Sequence, residues 1–176
     1  MRASQVLLKE TLTHFEQDDL LVVGGDGTQT PRTGRQIEGV GYLRCLRTPP
    51  FKIGIHLAPR WFNFSILLPA ENGFSRALPI LWLTAFTAKS KRTCTIAYKE
   101  WETAVISLTW LRDQLKRLGR EAQQILMLGD GSYDTLNLWK HLPDDVILLV
   151  HSAKNRVLHQ LPDDDAHKNR KYGERA

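Results

Sequence analysis

Three short runs of the chain are apolar at nearly every position: Leu20-Leu21-Val22-Val23, Gln124-Ile125-Leu126-Met127-Leu128 and Val146-Ile147-Leu148-Leu149-Val150. A strand that alternates buries one face; a strand apolar throughout buries both, as parallel strands covered by helices do. Between the first two runs, residues 99–118 place Trp101, Ala104, Val105, Leu108, Leu111, Leu115 and Leu118 at three- and four-residue spacing, with Gly119 as the stop. That is an amphipathic helix built to lie on something flat. A second, shorter helix fits residues 133–141. Strand, helix, strand, helix, strand predicts an α/β chain with parallel members in its sheet.

The remaining segments are less regular. Residues 5–17 read as a weakly amphipathic helix, and 30–41, punctuated by Pro31, Gly34 and Gly39, as a loop. Residues 51–56 and part of 62–68 alternate as half-buried strands, with Pro59 either turning a hairpin or ending a strand. Residues 71–98 are expected to be irregular, with Asn72-Gly73 as a turn, and 160–176 lose all periodicity. There is no internal repeat.

Composition narrows the class. With 176 residues, 42% hydrophobic and 24% charged, the chain has the material for one core and one domain. No apolar run approaches a membrane span, and the first 17 residues lack a signal-peptide core. Two cysteines, Cys45 and Cys94, make neither a disulfide framework nor a thiolate zinc site, so a cytoplasmic setting is expected. The net charge of +5 is concentrated: residues 31–60 hold six basic side chains (Arg32, Arg35, Arg44, Arg47, Lys52, Arg60) against Glu38 alone. Lys89, Lys91 and Arg92 form a second cluster, and Lys154, Arg156, Lys168, Arg170, Lys171 and Arg175 a third. Such clusters suit DNA or RNA, although a solvated basic surface has the same composition.

Two of the apolar runs end in Gly-Asp-Gly, at Asp26 and Asp130, 104 residues apart. Parallel strands bring their carboxyl ends to one edge of a sheet, where open α/β folds place their sites. Two aspartates there can share divalent cations, since magnesium takes one or two carboxylates together with substrate phosphates. A pair of such ions clamps the attacking and leaving oxygens of a phosphoryl displacement. The plainer alternative is that each aspartate closes a glycine turn.

Gly24-Gly25-Asp26-Gly27-Thr28 resembles the GGDGT of NAD kinases and diacylglycerol kinases, but Gln29-Thr30-Pro31-Arg32 is a poor start for the helix that follows it there. Gly129-Asp130-Gly131-Ser132-Tyr133-Asp134 resembles haloacid-dehalogenase-type phosphatases, yet Gly24 stands where their nucleophilic carboxylate belongs, which excludes that chemistry. A third resemblance covers most of the chain. It begins with Asp26 to Arg35, then Gly39 to Arg44, Arg47-Thr48-Pro49-Pro50, Gly54-Ile55-His56, Arg60-Trp61 and Leu67-Leu68-Pro69. It continues with Gly129 to Asp134, Ala153-Lys154-Asn155-Arg156 and Lys171 to Arg175. In this order, from about residue 19 onward, these motifs resemble the catalytic core of bacterial insertion-sequence DDE transposases.

The resemblance implies an RNase H-like mixed sheet with helices packed on it, the first catalytic Asp ending the first strand and the second ending the fourth. Asp26 and Asp130 match those positions as catalytic and metal-binding residues for Mg2+ or Mn2+. The implied chemistry is metal-dependent hydrolysis of a DNA phosphodiester, then attack of the freed 3′-hydroxyl on target DNA. Arg32, Arg35, Lys154 and Arg156 become candidate DNA contacts, with transposon ends and target DNA as partners, a nucleoid-associated location and a possible homodimer. The family also needs a third acid, a Glu on a later helix. Glu174 is the only late Glu and sits in the aperiodic tail, so it is not assigned that role. The family tends to carry Arg where this chain has His151. The expected organisation is therefore a helical remnant over 1–18, a partial catalytic core over 19–160, incomplete at its C-terminus, and a charged tail over 161–176. A remnant that binds DNA without cleaving it, and a GGDGT-type kinase, are the alternatives. His56 is expected to be a satisfied strand residue, and Trp61, Trp101, Trp110 and Trp139 to lie in the core, with base stacking by Trp61 as the lesser reading.

Overall fold

The computed structural model of the chain describes residues 2–33, 39–45, 54–69, 75–85 and 98–152. The candidate contacts Arg35, Lys154 and Arg156, together with Cys94, Glu174, the cluster at Lys89, Lys91 and Arg92, and the tail over 161–176, lie outside them.

The described elements are helix α1 (Arg2–Leu12), strands β1 (Leu21–Gln29), β2 (Gly41–Arg44), β3 (Ile55–Ala58), β4 (Arg60–Pro69) and β5 (Ser75–Thr84), helix α2 (Glu100–Arg117), strand β6 (Ile125–Gly129), helix α3 (Leu136–Lys140) and strand β7 (Val146–Val150). Five strands form one sheet in the order β5-β4-β1-β6-β7. β1, β6 and β7 run parallel, as the apolar runs require, while β4 and β5 are antiparallel additions beside β1. The architecture is α/β with a mixed sheet. β2 and β3 pair only with each other. Pro59 therefore ends β3 rather than turning a hairpin, and β4 leaves it for the main sheet.

The register separates the two faces of the sheet. Leu21 and Val23 of β1 lie level with Ile125 and Met127 of β6, and Val23 with Ile66 of β4. These side chains, with Phe62, Phe64 and Leu148, are buried against Leu8 and Leu12 of α1, Ala104, Leu108, Leu111 and Leu115 of α2, and Leu138 of α3. At roughly 1.5–3 kcal/mol for each large apolar side chain buried, this face supplies most of the folding drive. The helical spacing of α2 thus meets the surface it anticipates, and Gly119 (φ +70°) ends it in the left-handed region. Arg120 ties α1 down: its guanidinium donates to the carbonyls of Leu12, Phe15 and Glu16, left over at and beyond the helix end.

The opposite face carries Val22, Gly24 and Asp26 of β1, level with Leu126 and Leu128 of β6, which are level in turn with Ile147 and Leu149 of β7. Among the described residues no helix packs on it, and Ile147 and Leu149 are 49% and 59% exposed. Strands apolar throughout predict cover on both faces; the described structure has it on one.

Two expectations fail. Residues 75–84 are not irregular but form β5, ten residues paired with β4. Pro79 hides the strand in the sequence. It sits at an edge, beside the register shift opposite Phe64 and Ser65, where a missing N–H is tolerated. Nor does β1 stop at Val23: the strand continues through Gly24-Gly25-Asp26-Gly27 to Gln29, so Asp26 closes no turn.

Candidate functional site

β1 is central because both its edges are paired. Gly25 lies level with Gly129 at the end of the parallel ladder to β6, while Asp26 faces Asn63 across the antiparallel ladder to β4. Asp26 and Asp130 are each the next residue beyond that last parallel pair. Neighbouring strands lie about 4.8 Å apart, so the two carboxylates start from adjacent backbone positions. They line one open depression of about 380 Å3 on the uncovered face, with Asn63, Ser65, Leu67 and Leu128. Both aspartates are exposed.

Their environments differ. Among the described residues, the Asp26 carboxylate has no hydrogen-bond or ion-pair partner. Asp130 caps the 3-10 turn Gly131–Tyr133: its Oδ1 accepts from the Ser132 backbone N–H at 2.9 Å and from the Ser132 hydroxyl at 2.6 Å. One carboxylate oxygen is thereby fixed, and Oδ2 has no protein partner among the described residues. The second Gly-Asp-Gly is a turn as well as a site edge. Asp134 bridges outward, accepting from Trp139 Nε1 at 3.1 Å and from the Ser152 hydroxyl at 2.9 Å. Trp139 is 44% exposed rather than a core residue, because its indole N–H serves this bridge.

A brace stands on the covered face beneath the two aspartates. The Tyr133 ring is buried edge-on to Phe62, with centroids 5.9 Å apart. Its hydroxyl donates to Glu100 Oε1 at 2.9 Å, and Glu100 Oε2 pairs with the Arg60 guanidinium. Burial raises the Tyr133 hydroxyl far above the ordinary phenol range; the charge and hydrogen bond of Glu100 add to this, Asp26 adds a smaller push, and Arg60 opposes it. Tyr133 is therefore a neutral donor at physiological pH. Gly27 makes the brace possible, because a Cβ there would meet Glu100 Oε1. Gly25 is equally confined: a Cβ would lie 2.8 Å from Met127 Cε and from Phe62 Cζ. Gly25 and Gly27, on either side of Asp26, are thus packing requirements inside a strand, not turn formers.

Sequence reading missed Glu100, Tyr133 and Asn63. Glu100 reads as an ordinary acid in the first turn of a helix, and Asn63 as a strand position; the packing of α2 brings the first to Tyr133 and Arg60, and the register of β1 and β4 brings the second level with Asp26. Glu100 is no substitute for a third metal-binding carboxylate, since both its oxygens are engaged. Among the described residues, no set of three or more His, Cys, Asp and Glu side chains is grouped to hold a metal ion. The aspartate pair has the donor set of a magnesium site that keeps waters and binds substrate phosphates.

Arg32 lies just past the end of β1, exposed, with its backbone N–H bonded to the Leu57 carbonyl at 2.8 Å. His56 lies on β3, and its Nε2 is buried without a hydrogen-bond partner among the described residues, so it is not the satisfied strand residue anticipated. A GGDGT phosphate cradle needs free backbone N–H groups at a helix start. Here residues 24–27 are paired with β4 and run on as strand. No helix in the described residues is long and apolar enough to cross a membrane. Compared with protein-family models, with curated proteins and with solved structures, the chain finds no match.

Proposed function

We propose that this chain carries catalytic-core elements of a DDE-type transposase, with an RNase H-like sheet and phosphoryl-transfer chemistry on DNA. The observation that carries the reading is the placement of Asp26 and Asp130 beside each other, each the next residue beyond the last parallel pair of β1 and β6. The strand order supports it. In the main sheet Asp26 lies on the first strand and Asp130 follows the fourth in chain order, the strands the family resemblance implies, although Asp26 stands within β1, which runs on to Gln29, rather than ending it. The basic balance of residues 31–60 in the sequence suits a DNA backbone.

Asp26 and Asp130 would hold magnesium or manganese, which activates the attacking oxygen and offsets charge developing on the leaving oxygen. The chain's own residues prepare that site. Ser132 fixes the orientation of Asp130 through two donors on one oxygen. Tyr133, held protonated, anchors the turn to α2 without adding negative charge beside the carboxylates. Arg60 offsets the charge of Glu100, so the third acid nearby does not repel the substrate's phosphates.

Titration calorimetry with Mn2+ tests the reading. With no third acid assigned, the chain is expected to bind Mn2+ without efficient cleavage of DNA, and Asp26→Asn and Asp130→Asn each to weaken that binding while the melting temperature holds. Salt-dependent DNA binding with equal Mn2+ affinity in parent and variants would instead establish the non-cleaving remnant, and metal-dependent nicking of supercoiled plasmid would exclude that remnant. Thermal stabilisation by ATP and none by DNA would replace both with a nucleotide-binding function.

A further inference from the structure

Asp26 belongs to a row that crosses the sheet. Level with it on β4 is Asn63, and level with Asn63 on β5 is Trp82. Residues level across a sheet project to the same face, so the indole stands on the uncovered face together with the aspartate pair. Trp82 is 52% exposed, the largest side chain left so on the main sheet. Its place is unlike that of an incidental surface tryptophan. Asn63 lines the depression with Asp26 and Asp130, and its Oδ1 accepts from the Ser65 hydroxyl at 3.1 Å. That bond turns the carbonyl oxygen of Asn63 toward Ser65 and leaves its amide N–H2 as a donor without a protein partner among the described residues.

We infer that Trp82 is a stacking platform for an unpaired base of the DNA strand whose phosphate lies at Asp26 and Asp130, with Asn63 donating to that strand between them. The inference rests on the phosphoryl-transfer reading and adds how the substrate is held. Two strand spacings separate the indole from Asp26, about 10 Å. At 3.4 Å per nucleotide, a strand with a phosphate at the pair brings a base no more than about three nucleotides away to the ring. An indole face accepts any base, so the platform favours unpaired DNA without reading its sequence. Cations suit the phosphates on this path, and among the described residues Arg32 is exposed just past the end of β1.

The test is equilibrium binding of a fluorescent single-stranded oligonucleotide, in the presence of Ca2+ as the bridging cation, to the parent, Trp82→Ala and Trp82→Phe chains. Base stacking is worth a roughly five- to hundredfold change in affinity on truncation to Ala. The expected result is a loss of that size for Trp82→Ala, near-parental binding for Trp82→Phe, and the same salt dependence in all three. A single abasic position walked along the oligonucleotide should weaken parental binding at one place and leave Trp82→Ala indifferent, which a merely structural role for the ring would not produce. Undiminished binding by Trp82→Ala overturns the platform and leaves the aspartate site standing, as the manganese titration reads independently. Failure of the parent to bind any DNA overturns both.

Discussion

At Gly27 one hydrogen atom stands where any side chain would meet the Glu100 carboxylate. Gly24, two residues from Asp26 on the opposite side, has room: a Cβ there would touch only Leu67 Cδ1, at 3.4 Å. Two substitutions of equal chemistry should therefore differ. Gly27→Ala is expected to cost about 1–3 kcal/mol through overpacking, and Gly24→Ala to stay within about 0.5 kcal/mol, by urea denaturation. Tyr133 gives a prediction in pH. Its hydroxyl keeps its proton in the folded state to well above the pH at which an unfolded tyrosine, with a pKa of about 10, loses it. Above about pH 10 the unfolded chain therefore binds fewer protons than the folded one, and stability falls as pH rises. Tyr133→Phe removes that contribution, so melting temperature followed from pH 8 to 11 should decline less steeply in the variant. It should also be lower at neutral pH, because Glu100 loses a donor. An unchanged alkaline slope would show that Tyr133 is not buried as described.

At the scale of elements, the helix-covered half of the sheet is the legible half. α2 was readable because its apolar residues repeat at helical spacing and its stop is a glycine, and β6 and β7 because runs apolar throughout have few other places to be. Leu111, wholly buried in α2, should cost 2–5 kcal/mol on truncation to Ala, and Gly119→Ala about 1 kcal/mol from its left-handed backbone. β1 and β5 were read poorly for two different reasons. A strand containing Gly24, Gly25 and Gly27 has the composition of a turn, and only the ladders on both its sides hold it extended. β5 contains Pro79, which breaks the alternation that marks a strand, and an edge position beside a register shift forgives it. The candidate site divides in the same way. Asp26 and Asp130 could be found because each ends or follows an apolar run. Asn63 and Trp82 could not, because they depend on which strands pair and in what register, nor could Glu100 and Tyr133, because they depend on how α2 and the turn after β6 pack on the sheet.

At the scale of the molecule, the sheet is two-sided and the described helices cover one side. The other combines the aspartate pair with Leu126, Leu128, Ile147 and Leu149, an apolar surface ending in β7, a five-residue strand with no charge or proline. Strand edges of that kind invite pairing with another chain. Light scattering should show concentration-dependent self-association, and Ile147→Lys with Leu149→Lys should reduce it while the melting temperature stays within a few degrees. The same face is where a DNA strand would lie under the phosphoryl-transfer account, and that account stands or falls on the two aspartates acting as one site. A crystal soaked in Mn2+, with data collected for its anomalous signal, tests this directly. The account predicts a peak between the Asp26 and Asp130 carboxylates that disappears in Asp26→Asn. No peak there at saturating manganese, or one that persists in Asp26→Asn, would contradict it.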